Sequence, residues 1–164
     1  ELGHRKIAII NGPQTHTSFL DRFGGYKLSI LDHGIKYEKE YVQTVPEGEA
    51  EYKYPPAKHI LELKQPPSAV FCANDNIAIG AMKVIKDKGL RIPGDISVVG
   101  FDDIEQASHI EPSLTTVRVH NEGLGRVAAQ KLIEVISNRN KRPERTIIPT
   151  ELIIRESASK VKNK

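Results

Sequence analysis

The chain has 164 residues, 38% of them hydrophobic and 27% charged, with a formal net charge of +3. That length holds one large domain or two small lobes and is enough to bury a core, and the balance is that of an ordinary globular protein. No apolar run approaches the ~18–20 residues of a membrane span. No charged-then-apolar leader opens the sequence. Cys72 is the only cysteine, which excludes an internal disulfide and sets the expectation of a reducing, cytoplasmic compartment. The basic residues are scattered. Their two clusters, Arg139, Lys141, Arg142 and Arg145, and Lys160, Lys162 and Lys164, are read as solvated surface rather than a phosphate-binding face.

In chain order, residues 7–10 are a short apolar run stopped by Asn11-Gly12-Pro13, the pattern of a buried strand. From Ser18, apolar residues recur at three- and four-residue spacing through Leu20, Phe23 and Ile30, predicting a helix that Gly34 ends. Residues 40–45 carry β-formers before Pro46, a second strand, and Pro55 and Pro56 suit the first turn of a helix running through Ile60, Leu61 and Leu63. Residues 68–73 form a third strand. Asn74 then caps a helix whose apolar stripe is Ile77, Ala78, Ala81, Val84 and Ile85, and which Gly89 ends. Residues 96–101 and 114–119 are the fourth and fifth strands, Asn121 or Glu122 opens a last helix, and residues 146–148 and 152–154 read as two closing strands. Strands alternating with helices at this spacing predict an α/β fold with a parallel sheet covered on both faces.

In such sheets ligands bind outside the carboxyl ends of the strands. The residues that follow the strands are Asn11, with Ser18 and Arg22 on the next helix, then Asn74 and Asp75, then Asp102 and Asp103. A hydroxyl, a guanidinium, amides and carboxylates gathered in one crevice suit a sugar, polyol or sugar acid. The alternative is that Asn74 and Asp102 only cap the helices after them. A magnesium-dependent phosphotransfer site needs a carboxylate after the first strand, where this chain has Asn11-Gly12-Pro13. Gly123-Leu124-Gly125-Arg126-Val127-Ala128 fits a dinucleotide fingerprint, but His120-Asn121-Glu122 intervenes after the strand and no complete βαβ unit follows. His4, His16, His33, His59, His109 and His120 show no metal-ligand spacing, Ser18 stands in no nucleophile elbow, and Cys72 sits inside an apolar strand. No metal, no cofactor and no catalysis are expected.

The stretches Gly3-His4-Arg5-Lys6-Ile7-Ala8-Ile9-Ile10, Asp21-Arg22-Phe23-Gly24-Gly25-Tyr26 and Pro67-Ser68-Ala69-Val70-Phe71-Cys72-Ala73-Asn74-Asp75 resemble the sensor domain of the LacI/GalR family of transcriptional regulators. So do Ile79-Gly80-Ala81, Pro112-Ser113-Leu114-Thr115-Thr116-Val117 and Leu124-Gly125. Arg91-Ile92-Pro93-Gly94-Asp95-Ile96-Ser97-Val98-Val99-Gly100-Phe101-Asp102-Asp103 is the most specific. The resemblance runs from Gly3 to about Ser157. It implies a sandwich of the type I periplasmic-binding-protein kind, mainly its C-terminal lobe, in a repressor whose helix-turn-helix headpiece and hinge are absent here. Residues 1–113 and 143–158 would build that lobe, residues 114–142 would be a strand and helix of the N-terminal lobe, and residues 159–164 a basic tail.

The same resemblance implies that Arg22, Asn74 and Asp102 contact a small-molecule effector (a sugar, sugar acid or sugar phosphate), with Ser18 in support. Two departures stand out: residues 46–50 lack the family's aromatic partner for the sugar ring, which is either missing or displaced to Tyr52 or Tyr54, and Val119 replaces a polar side chain. Ile79 and Ile110 match positions in the family's homodimer contact; the alternative is that both are core. Operator DNA would be bound only through the headpiece, and no membrane is involved. A transport-type sugar receptor of the same fold is the other reading, which upstream sequence would separate from a repressor.

Overall fold

The computed structural model describes residues 2–47, 55–138, 142 and 144–161; Tyr52 and Tyr54, and Arg139, Lys141, Lys162 and Lys164 of the basic clusters, lie outside them. Strands β1 (Ile7–Asn11), β2 (Val42–Thr44), β3 (Ala69–Cys72) and β4 (Ser97–Val99) form an all-parallel sheet in the order β2-β1-β3-β4. Ile9 stands opposite Val42 on one side and Phe71 on the other, and Val70 opposite Val98. Helices α1 (Thr17–Asp32), α2 (Pro55–Leu61) and α3 (Asp75–Asp87) supply the crossovers, and a short α4 (Glu105–His109) follows β4.

Strand periodicity sorts the side chains onto two faces. Ala8, Ile10, Val70, Cys72 and Val98 meet Ala57 and Ile60 of α2 and Ile77, Ala78, Ala81, Met82 and Ile85 of α3 in the main core. Each large aliphatic so enclosed contributes ~1.5–3 kcal/mol. On the other face Ile9 packs with Tyr26 and Ile30 of α1, flanked by Ile7, Phe23 and Phe71. That face is less filled: a hollow of about 560 Å³ lies along Ile7, Ile30, Phe71 and Val99. Gly34 and Gly89 end α1 and α3 in the left-handed conformation (φ +60° and +75°) that glycine adopts without strain. The amides beyond them reach back five residues, Ile35 to Ile30 and Leu90 to Ile85, closing the last turns.

After β4 the chain runs alongside β5 (Thr116–Arg118), continues into α5 (Asn121–Ser137) and returns through β6 (Glu151–Ile153), which pairs antiparallel with β5. No residue of α5 is buried, and Leu132, Ile133 and Ile136 are each more than 60% exposed. An amphipathic helix ordinarily lays its apolar side against another element; here that side is exposed. The returning segment rejoins the main sheet, where Val98 N donates to Ser157 O (2.8 Å) and Ser159 N to Ser97 Oγ (3.1 Å).

The structure departs from the sequence expectations locally. The second strand begins only at Val42, because residues Lys39–Tyr41 make a 3-10 turn that buries Tyr41 and puts its hydroxyl on Gln65 O (2.7 Å). Residues 146–148 form no strand, and Ile147 is 76% exposed. The helix α4 was not expected. No described helix is long and apolar enough to cross a membrane.

Candidate functional site

The site begins at Gly12, where a Cβ would stand 2.3 Å from the Phe19 ring. Only glycine lets the start of α1 close over the end of β1. That packing sets Ser18, exposed, one turn before Arg22 on the same helix face. Arg22 then crosses the sheet ends. Its Nη1 donates to Ala73 O (2.6 Å), its Nη2 to Asp102 Oδ1 (2.9 Å), and its guanidinium carbon stands 4.0 Å from the Phe101 ring centroid. One arginine thus joins the end of β3 to the loop after β4 while lying on an aromatic face.

Asn74 sits beside Ala73 and caps α3, its Oδ1 accepting from Ile77 N at 2.8 Å. The capping alternative raised from the sequence is therefore real for Asn74. It is not so for Asp102, whose carboxylate faces Arg22 from a left-handed residue (φ +115°). The Asp102 side chain is 31% exposed and that of Arg22 17% exposed, so the pair is partly desolvated yet open to a ligand. A guanidinium has five donors and a carboxylate about four acceptor positions, so the pair can serve further hydroxyl or carboxylate oxygens.

Three other strand-end residues do not line this surface. Asn11 is fully buried, its Nδ2 on Phe19 O (3.2 Å). Asp75 is fully buried under α4 and β5, accepting from Ile104 N (2.9 Å) and Thr116 Oγ1 (2.5 Å). Burial pushes its carboxyl above the usual range against those two bonds. Asp103, also left-handed (φ +55°), turns away onto Arg118 Nε (2.7 Å) and Arg155 Nη2, which lies 2.7 Å from Oδ1 as an ion pair off the hydrogen-bond direction. Burial pushes the Asp103 carboxyl up, but the two guanidinium groups of Arg155 and Arg118 beside it outweigh that and hold the group below the ordinary carboxylate range. Sequence reasoning missed the roles of Phe101, Arg118 and Arg155. The aromatic ending the fourth strand was a usable signal; Arg118 lay in a segment read only as a strand, and Arg155 just past the last expected strand.

Ile79 and Ile110 come together at a surface cleft of about 360 Å³ with Met82, Lys83 and Glu111. Both are half-buried, and Ile110 also packs against the main core.

The parallel sheet with helices on both faces, ending in a polar strand-end surface, defines an α/β domain of the periplasmic-binding-protein type. The sequence profile described as a periplasmic binding protein-like domain matches residues 1–158, and the chain belongs to that family. Its relatives are LacI-family regulators, which bears out the resemblance read from the sequence. It is 40% identical over 159 residues to the probable HTH-type transcriptional repressor ExuR of Bacillus subtilis (strain 168), covering 97% of this chain and 47% of that protein. A solved CelR–cellobiose complex superposes with a TM-score of 0.88 at 33% identity, over 95% of this chain and 47% of that one. The lac repressor dimer bound to operator and the anti-inducer ONPF gives 0.86 at 29% identity, over 96% and 54%. The chain spans about half the length of these relatives.

Proposed function

We propose that this chain is the effector-sensing part of a LacI/GalR-type transcriptional repressor, working in the cytoplasm as a homodimer and acting as a sensor, not an enzyme. The reading rests above all on the Arg22–Asp102 pair, held across two strand ends beside Asn74, with Ser18 one turn away. Those groups contact a sugar, sugar acid or sugar phosphate. Residues 1–113 and 143–158 form the C-terminal lobe. Residues 114–142 belong to the N-terminal lobe, in keeping with the uncovered apolar side of α5, and residues 159–164 are a basic tail. Effector binding shifts the lobe arrangement by preferring one of two states, and so changes how a headpiece meets operator DNA. The cleft holding Ile79 and Ile110 is the dimer contact. The test is titration calorimetry of the chain with cellobiose, hexuronates and hexose phosphates. One jaw of a cleft binds weakly, in a roughly millimolar range, and Arg22→Ala or Asp102→Ala abolishes the signal while circular dichroism stays unchanged. Both variants titrating like the parent chain would overturn the site.

A further inference from the structure

The effector surface is held in shape from behind. Asp102 and Asp103 are consecutive left-handed residues (φ +115° and +55°), a conformation uncommon outside glycine, which Asp tolerates singly but which is rare for two in a row. What imposes it is visible. Asp102 N donates to Val117 O (2.8 Å) and Val119 N to Asp102 O (3.5 Å), so β5 grips the backbone of the turn. From the same strand, Arg118 reaches the Asp103 carboxylate (2.7 Å). On the other side Arg155, just after β6, pairs with Asp103 (2.7 Å) while its Nη1 donates to Leu114 O (2.8 Å) and its amide to Thr115 Oγ1 (2.9 Å). The Asp103 side chain is only 6% exposed and that of Arg155 16%, so this pair is shielded from water.

We propose that Asp103, clamped by Arg118 and Arg155, is a positioning residue that holds Asp102 against Arg22, so that the segments leaving and re-entering the sheet set the shape of the effector site. With two carboxylates side by side in a turn, the chain could present either one to Arg22. The two arginines fix the choice: they draw Asp103 backward and thereby aim Asp102 forward. Removing the Asp103 charge lets the turn relax and frees Asp102 to leave Arg22. The inference rests on the effector reading only for its functional consequence; the geometry it asserts holds without a ligand.

The test is NMR of the arginine side chains in this chain. A guanidinium held by a carboxylate gives separate, slowly averaging Nη proton signals, and a released one gives a single averaged signal. Asp103→Asn and Arg118→Met are expected to collapse the Arg22 signals, whereas Arg118→Lys, which keeps a cation on Asp103, preserves them. Arg91, paired with Asp95 at 2.7 Å elsewhere on the surface, is the internal control and stays resolved in every variant. Should Asp103→Asn fail to fold, the Arg118 pair decides, since Arg118 is 42% exposed. Resolved Arg22 signals in both Asp103→Asn and Arg118→Met overturn the proposal. Thermal-shift titration with cellobiose, hexuronates and hexose phosphates runs alongside, and any sugar bound by the parent chain is expected to bind Asp103→Asn at least tenfold more weakly. Undiminished binding to that variant would also overturn it. If no sugar binds the parent chain but the Arg22 signals collapse as described, the effector reading fails and the positioning role stands.

Discussion

Gly100, the residue after β4, is where a single methyl group is expected to do most damage. A Cβ there would stand 2.2 Å from Asp75 Oδ1 and 2.9 Å from Leu114 Cδ2. Neither neighbour has room to yield. Leu114 is fully buried, and the short Asp75 side chain, also fully buried, is fastened at Oδ1 by Thr116 and at Oδ2 by Ile104 N. Overpacking a core costs ~1–3 kcal/mol, and each buried donor left without its acceptor costs ~1–3 kcal/mol. Gly100→Ala is therefore expected to lower stability by about 3 kcal/mol or more, roughly 6–12 °C in Tm at ~2–4 °C per kcal/mol for a chain of this size. Urea unfolding followed by circular dichroism, with scanning calorimetry for Tm, measures it. Gly24 in α1 supplies the contrast, because a Cβ there meets nothing within 4 Å. Gly24→Ala is expected to gain about 0.5–1 kcal/mol from helix propensity alone. A loss below about 1 kcal/mol for Gly100→Ala would show that the Asp75 pocket is slack and refute the packing argument.

Three further outcomes follow from the same structure. Asn74→Ala removes the cap on α3 and is expected to cost about 1 kcal/mol in urea unfolding; no change would mean that Ile77 N finds another acceptor. Asp103 has a folded-state pKa below its unfolded value near ~3.9, so its ion pairs stabilise the fold above that pH, and the benefit is lost as pH falls through the lower, folded value. The stability gap between the parent chain and Asp103→Asn is accordingly expected to be widest near neutrality and to narrow below about pH 4; a gap that widened on acidification would contradict the assignment. Cys72 is fully buried, and burial pushes its thiol up. An aromatic disulfide reagent at neutral pH is expected to label it only as fast as the chain unfolds, and rapid labelling of the folded protein would place it elsewhere.

Much of this was legible because it depends on local chemistry. The run at residues 7–10, the stripe from Ile77 to Ile85 and the stops at Gly34 and Gly89 each state their conformation in a few neighbouring residues. Placing Arg22 and Asp102 at the strand ends needed only strand order and the general position of ligands in such sheets. The rest turned on partners far apart in sequence. Whether Asp102 or Asp103 would face the open surface was decided by Arg118 and Arg155, which no spacing rule links to either. Asp75 looked like a surface carboxylate because nothing nearby announces that Thr116 and Ile104 close over it. Tyr41 turned the start of an expected strand into a 3-10 turn by reaching Gln65. Residues 146–148 carry strand-forming side chains, but a strand needs a neighbour and they have none among the described residues.

β4 is the last strand of its sheet, and its outer side is closed by the chain's own return. Val98 gives its amide to Ser157 O, Ser157 Oγ donates to Val98 O (2.6 Å), and Ser97 Oγ meets the backbone of Ser159. An unpaired strand edge is a template on which a second chain can add its own strand. Here the template is occupied by serine side-chain oxygens as much as by backbone, so the occupying segment offers little regular ladder for a newcomer to extend. Residues 157–159 thus act as a seal against edge-to-edge aggregation. Trimming them would leave the outer edge of β4 open to strand addition, without touching Arg22, Asn74 or Asp102.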